Sequence, residues 1–328
     1  MEIAKAITKH VLEDKVQKLE GVDLDSIYLR VILNSLCNAK CYFCHEEGQS
    51  VISDLPAEIL RQAAIDSSEL GIKRIKYTGG EPLLRKDLAD LTAMIKSVDP
   101  EIEISMTTNG IGIERKIDQL VDAGLDRINV SLHSVDRENY KRIFRVDALD
   151  KVLRGLDYAK DSGLKAIKIN ATVSRYNLHE IFEIAKYSQQ MGFEFRIHYL
   201  LPSNEEAAQT IVPRSELNRY LKDHSDRLET IERHGKETTR YHQGELTVDV
   251  KKGNFAGKCK RCDYLSRCNE GIYALRLTPE GKLRPCLYLD SLEMNFANAI
   301  KEGNSKEVMK EAYRRVIKWI NLLQKQEI

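Results

Sequence analysis

The chain has 328 residues, 42% of them hydrophobic, with 51 Lys and Arg against 50 Asp and Glu for a formal charge of +1. That length buries a substantial core and suits one large domain with an appendage or two modest domains, so the seven cysteines are not the staples of a small scaffold. Near neutrality removes the global electrostatic case for nucleic acid or an anionic membrane as partner.

Residues 1–24 are charged and helix-patterned, and predict an N-terminal helix. No run reaches the ~18 apolar residues of a spanning helix, so a cytoplasmic protein is expected. In a reducing compartment, clustered thiols point to metal or redox chemistry rather than bridges. Six short β-branched runs follow, "IYLRVIL", "KRIKYTGG", "EISMTTNG", "RINVSL", "KAIKINATV" and "EFRIHYLL". Each is apolar, short and ended by turn or polar residues, as buried parallel strands are. Helical stretches lie between them: one opens at Pro56 and closes on Gly71, one precedes Pro100, and two end at Gly124 and Gly163. This alternation over residues 27–201 predicts an α/β fold with a parallel sheet. An open sheet and an incomplete barrel fit equally, with chemistry at the strand C-termini in both.

The rhythm breaks near Pro202, which divides residues 25–202 from a C-terminal region, 203–328. Residues 203–258 are polar and read as a short helix plus connecting loops. "YALRLTPEGKLRPCLY" reads as a hairpin around Pro279-Glu280-Gly281, and "SKEVMKEAYRRVIKWINLLQKQ" as a closing amphipathic helix.

The first cysteine group, Cys37, Cys41 and Cys44, has the spacing C-x3-C-x2-C. Three thiolates leave one iron of a four-iron cluster open to a ligand, whereas structural zinc wants four closing ligands and His45 follows Cys44 too tightly to complete them. The second group, Cys259, Cys262, Cys268 and Cys286, has the spacing C-x2-C-x5-C-x17-C, enough thiols for every iron of a second cluster. Six cations, Arg30, Arg74, Lys76, Lys168, Arg196 and Arg276, sit inside or at the end of a predicted strand. A cation there is costly unless it faces a cavity or a partner. Singly, each is equally well explained by a salt bridge to an acid such as Glu103 or Asp126. Together they favour a phosphorylated small-molecule substrate.

C-x3-C-x-aromatic-C, with Phe43 as the aromatic, directly after the first strand and "TGGEPLLR" after the second resemble the radical S-adenosylmethionine superfamily. "CYFCHEEG", "TGGEPLLRKDL", "TTNG", "AGLDRINVSLHSVDRENYKRI", "GLKAIKINATV" and "GKLRPCLY" resemble, in order, the blocks of its GTP 3',8-cyclase family of molybdenum cofactor biosynthesis. The resemblance implies an incomplete (β/α)6 barrel with a C-terminal auxiliary iron–sulfur cluster region, two [4Fe–4S] clusters and S-adenosylmethionine as cofactors. It also implies that Cys37, Cys41 and Cys44 hold the reducible cluster. Gly79, Gly80 and Glu81 would face the methionine amino group, Thr108, Asn109 and Ser131 would line the ribose and carboxylate, and Phe43 would stack near the adenine. The six cations would bind the triphosphate of GTP, and an electron donor such as flavodoxin or ferredoxin is implied. A homodimer is compatible with all of this.

Three features depart from that pattern. The family's second cluster has three cysteines, C-x2-C-x13-C, with an iron left for the guanine, where this chain has four. Ala274 stands in place of one triphosphate arginine, and "QKQEI" in place of a Gly-Gly tail. Two alternatives follow: a radical enzyme acting on a peptide or other small molecule, with the second cluster as an electron conduit, and a zinc-stabilised binding protein without turnover.

Overall fold

The computed structural model describes residues 27–45, 53–201, 203–233, 236–251, 274–287 and 292–324. The expected N-terminal helix and Cys259, Cys262 and Cys268 lie outside these residues. All six predicted strands form: β1 (Tyr28–Ile32), β2 (Arg74–Thr78), β3 (Glu103–Thr108), β4 (Arg127–Ser131), β5 (Ala166–Val173) and β6 (Glu194–Tyr199), parallel and side by side in chain order. Between them run α1 (Ala57–Glu69), α2 (Leu88–Val98), α3 (Ile117–Asp122), α4 (Arg137–Phe144), α5 (Leu149–Ala159) and α6 (Ile181–Gln190). Pro56 precedes α1, and Asp136 caps α4 by accepting the Asn139 amide at 2.8 Å.

The strands alternate over most of their length. Ile75, Tyr77, Ile104, Met106, Ile128, Val130, Ile169 and Ala171 are buried on one face, each apolar side chain contributing roughly 1.5–3 kcal/mol where fully covered. The intervening residues, among them Lys76, Thr107, Asn129, Lys168 and Asn170, are half-buried and polar on the opposite face. One apolar and one polar face, with strands in sequential order, make a partial barrel whose lumen is lined by polar side chains.

Residues 203–258 are not a helix with loops. After α7 (Glu205–Gln209) and α8 (Arg214–Asp223) the chain forms an antiparallel meander, β7 (Arg227–Arg233), β8 (Lys236–Gln243) and β9 (Leu246–Lys251). Charge concealed a period of two, for Tyr241, Val248 and Val250 are buried while Arg240 and Asp249, neighbours across the strands, pair with one another at 2.7 Å. The hairpin forms as expected, from β10 (Ala274–Leu277) and β11 (Lys282–Arg284), followed by β12 (Met294–Asn295), α9 (Phe296–Glu302) and α10 (Ser305–Gln324). β10 pairs in parallel with β1, and β9 in parallel with β6. Eight parallel strands therefore run in the order β10-β1-β2-β3-β4-β5-β6-β9. The sheet crosses the sequence boundary at residue 202, and its two flanking strands both come from the C-terminal region. Helix α10 buries Met309, Tyr313 and Val316, and the Tyr313 hydroxyl lies 3.2 Å from Ser67 Oγ on α1.

Candidate active site

The cysteine loop leaves the C-terminal end of β1 and is fastened from several sides. Lys40 N–H donates to Phe144 O at 3.0 Å and Tyr42 N–H to Ile143 O at 3.1 Å, which ties the loop to the end of α4. Asn204 Nδ2 donates to Tyr42 O at 2.6 Å and Ser203 Oγ to Phe43 O at 2.8 Å. Cys37 and Cys44 are exposed and Cys41 is half-buried. Burial, and then the charges of Cys44 and Cys37, push the Cys41 thiol well above its ordinary range. Three thiols in one neighbourhood can all become thiolates only around a cationic centre, and soft thiolate donors fit iron in a sulfide cluster.

"TGGEPLLR" lies against this loop. Gly80 N–H donates to Asn34 O at 2.8 Å, Glu81 N–H to Leu36 O at 2.7 Å, and Asn34 Nδ2 to Glu81 O at 2.9 Å. A Cβ on Gly80 would lie 2.1 Å from Leu36 O, and one on Gly79, whose φ is +151°, 2.5 Å from Asn34 O. Both glycines therefore let one backbone lie on another, which carries the residues before Cys37. Glu81 is 1% exposed. Its Oε1 accepts from Thr108 Oγ1 at 2.6 Å and Leu83 N–H at 3.0 Å, and its Oε2 from Asn109 N–H at 2.7 Å. Burial pushes this carboxyl up against the pull of those bonds. Asn109 Nδ2 donates to Asn38 Oδ1 at 2.7 Å and lies 3.8 Å from Cys37 Sγ. Glu81, Thr108 and Asn109 thus form one cluster that joins the ends of β2 and β3 to the cysteine loop.

Two buried ion-bearing residues were not singled out from sequence. Arg85 Nη1 donates to Leu33 O at 2.9 Å and Leu55 O at 2.8 Å, while its fork holds Asp87 at 2.9 and 2.7 Å. The Arg85 hydrogen bonds keep the Asp87 carboxyl below the usual range. Glu180 accepts from Ser134 Oγ at 2.6 Å, from Val135 N–H at 3.1 Å and from Asn139 Nδ2, shaping the loop that follows Ser131. An arginine ending the motif was a visible signal for the first, whereas the second depends on contacts distant in sequence.

Phe43 meets His133 edge-on at 5.2 Å, His133 stacks on Phe144 at 4.9 Å, and Phe144 on Tyr140 at 4.2 Å. His133 is 4% exposed, and its Nδ1 accepts the Thr172 amide at 3.0 Å, so the neutral ring carries its proton on Nε2. Burial lowers its pKa from 6.5 to about 3. The unfolded chain therefore binds a proton that the fold refuses. Stability is full above about pH 6.5 and falls as the pH drops towards about 3, by about 1.4 kcal/mol per unit. The midpoint of urea unfolding is expected to fall from pH 7 to pH 5 more steeply in the wild type than in His133→Phe, and equal slopes would remove His133 as the cause.

The six strand cations share the lumen face but not one depth. Arg74, Glu103, Arg127 and Glu194 are the first residues of their strands. Arg74 Nε lies 3.6 Å from Glu103 Oε1, Arg127 lies 3.9 Å from both Glu103 and Glu194, and Lys168 Nζ lies 2.8 Å from Glu194 Oε2. This ladder of alternating charge crosses the N-terminal end of the lumen, away from the cysteines. Arg30, Lys76, Arg196 and Arg276 are each the third residue of their strands, one step further along the face. Arg276, 1% exposed, is in register with Arg30, and Arg30 with Lys76. Ser131 ends β4 in register with Asn170, itself in register with Arg196. Arg127, Asn129 and Asn170 complete the polar face and were missed, although alternation within their strands was legible.

Known proteins match this architecture. The Radical SAM superfamily pattern matches residues 31–188. The probable GTP 3',8-cyclase of Sulfolobus acidocaldarius is 36% identical over 298 residues, covering 88% of this chain and 91% of that protein. That of Thermococcus kodakarensis is 33% identical over 88% of this chain and 94% of its own length. Among solved structures, Streptococcus suis SuiB bound to S-adenosylmethionine superposes with a TM-score of 0.62 at 17% identity, covering 90% of this chain and 68% of SuiB. Native anSMEcpe with bound AdoMet gives 0.56 at 15% identity, covering 88% and 84%. A parallel partial barrel with three thiols at its C-terminal edge defines a radical S-adenosylmethionine enzyme, and S-adenosylmethionine and two [4Fe–4S] clusters are its cofactors. Within that class the chain belongs to the GTP 3',8-cyclase family. No helix among the described residues is long and apolar enough to cross a membrane.

Proposed function

We propose that this enzyme acts on GTP or a closely related phosphorylated nucleotide, as a cyclase-type lyase. The observation that carries the reading is the layer formed by Arg30, Lys76, Arg196 and Arg276 on the polar lumen face, in a chain whose relatives at 30–36% identity are named probable GTP 3',8-cyclases. Cys37, Cys41 and Cys44 would hold the first cluster, which would supply the electron for reductive cleavage of S-adenosylmethionine. The chain's own residues orient the reactants. Phe43 offers a ring to the adenine, Gly79 and Gly80 offer backbone to the methionine amino group, and Thr108, Asn109 and Ser131 border the ribose and carboxylate. Glu81 serves that site through the loop it anchors. The four cations grip phosphate, while Arg74 and Lys168 support them from the ladder beneath. A flavodoxin- or ferredoxin-type donor in the cytoplasm would supply electrons.

The test is anaerobic incubation with S-adenosylmethionine, dithionite and a panel of nucleoside triphosphates, read by mass spectrometry. A cyclised GTP product with matching 5'-deoxyadenosine supports the proposal. Abundant 5'-deoxyadenosine with no nucleotide product defeats it in favour of a peptide or other small-molecule substrate, the reading that four cysteines in the second group favour. Within the proposal, Lys76→Ala and Arg196→Ala each raise KM for the nucleotide, by about tenfold or more for a lost charge-assisted phosphate contact, while uncoupled S-adenosylmethionine cleavage survives. An unchanged KM in both would assign these cations to the scaffold. Four thiols, those of Cys259, Cys262, Cys268 and Cys286, would suffice for every iron of the second cluster, so isotopically labelled GTP should leave its magnetic resonance spectrum unchanged. New hyperfine coupling would show that one of these thiols is a bystander.

A further inference from the structure

Helix α4 carries a buried hydroxyl with no role in the scaffold. Tyr140 is 0% exposed, and its Oη makes no hydrogen bond among the described residues. Leaving a hydroxyl dry and unbonded costs roughly 1–3 kcal/mol, and a phenylalanine would fill the same stack on Phe144 without that penalty. The ring's position is set by the cysteine loop. Tyr140 lies one helical turn before Phe144, and the carbonyls of Ile143 and Phe144 accept the amides of Tyr42 and Lys40, the residues either side of Cys41. The end of α4 is thus clamped to the Cys41 segment, with the Tyr140 ring on the buried side of that junction. An ordinary phenol is a protonated hydrogen-bond donor at neutral pH. Glu81 already accepts three hydrogen bonds. The Cys41 sulfur, in the segment that this clamp fixes, is a further acceptor.

We infer that Tyr140 is a positioning residue for the first cluster, whose hydroxyl donates a hydrogen bond to sulfur on the Cys41 side and raises the cluster's reduction potential. A hydrogen bond to a thiolate or sulfide withdraws electron density and stabilises the reduced, more negative cluster. This rests on placing the first cluster on Cys37, Cys41 and Cys44 and is independent of the substrate.

The test is a redox titration of the reconstituted enzyme, wild type against Tyr140→Phe, followed by electron paramagnetic resonance of the first cluster without nucleotide. Cys259→Ala in both backgrounds removes overlap from the second cluster's signal. At a fixed poise, Tyr140→Phe is expected to lower the ratio of reduced to oxidised cluster about tenfold, equivalent to about 59 mV for one electron. The iron–sulfur stretching frequencies should shift between H2O and D2O in the wild type and not in the variant. An unchanged or higher potential in a variant with full iron content would overturn the inference. A wild type with no such cluster would instead overturn the placement on the three cysteines. Should Tyr140→Phe bind less iron, the solvent-isotope shift of the wild type decides: its presence supports the hydrogen bond, its absence defeats it.

Discussion

Cys41→Ala abolishes 5'-deoxyadenosine formation. A methyl group cannot ligate iron, and Cys41 is the half-buried middle member of the three thiols, while Cys37 and Cys44 are exposed. With it gone, two exposed thiols remain at the edge of the sheet, too few to hold a cluster against solvent. The variant should fold, because its loop is held by backbone bonds of Lys40 and Tyr42 to Phe144 and Ile143 and by Asn204 and Ser203 rather than by the thiol. Chromatography of anaerobic reactions after reconstitution measures it directly. Retained cleavage of S-adenosylmethionine would remove Cys41 from the ligand set.

Gly80→Ala should fail earlier, in folding. A Cβ lying 2.1 Å from Leu36 O meets backbone, and that backbone also accepts the Glu81 amide at 2.7 Å, so neither side can yield without breaking the joint between the two motifs. A destabilisation of roughly 3 kcal/mol or more is expected, with loss of iron from whatever folds. Gly192→Ala is the control. Gly192 has a left-handed backbone, φ +76°, which Gly80 lacks, and an added Cβ there meets nothing within 4 Å. Comparable losses in both variants, by urea unfolding and iron content, would mean that glycine flexibility matters rather than the close approach.

The parallel strands and the cysteine spacing were legible because each is local: apolar runs between turn residues, thiols three and two residues apart. The meander over β7–β9 was not, because its strands are amphipathic and highly charged, and charge reads as loop until the opposing strand is known. Arg240 and Asp249 look like solvated residues singly and become a half-buried ion pair only in register. The role of "TGGEP" was half legible. Gly79 and Gly80 were expected to face the methionine amino group, but the backbone they approach includes that of Asn34 and Leu36, which no spacing within the motif encodes. Likewise, the six cations were found by their place in strands, but their division into a ladder and an upper layer depends on which end of each strand they occupy relative to Glu103 and Glu194.

The two strands that flank the six-strand barrel set an order of events during synthesis. β1 is synthesised long before its partner on one side, β10, and β6 similarly waits for β9. Until then the nascent barrel presents β1 as an open parallel edge, a template for unwanted pairing with other chains. Closing that edge requires a contact between distant parts of the chain, the slow kind to form. β10 also leads through its hairpin to Cys286, the nearest described thiol of the second group. Sealing the barrel edge and placing Cys286 are therefore one folding step, and a chain that cannot complete that edge cannot place that thiol either.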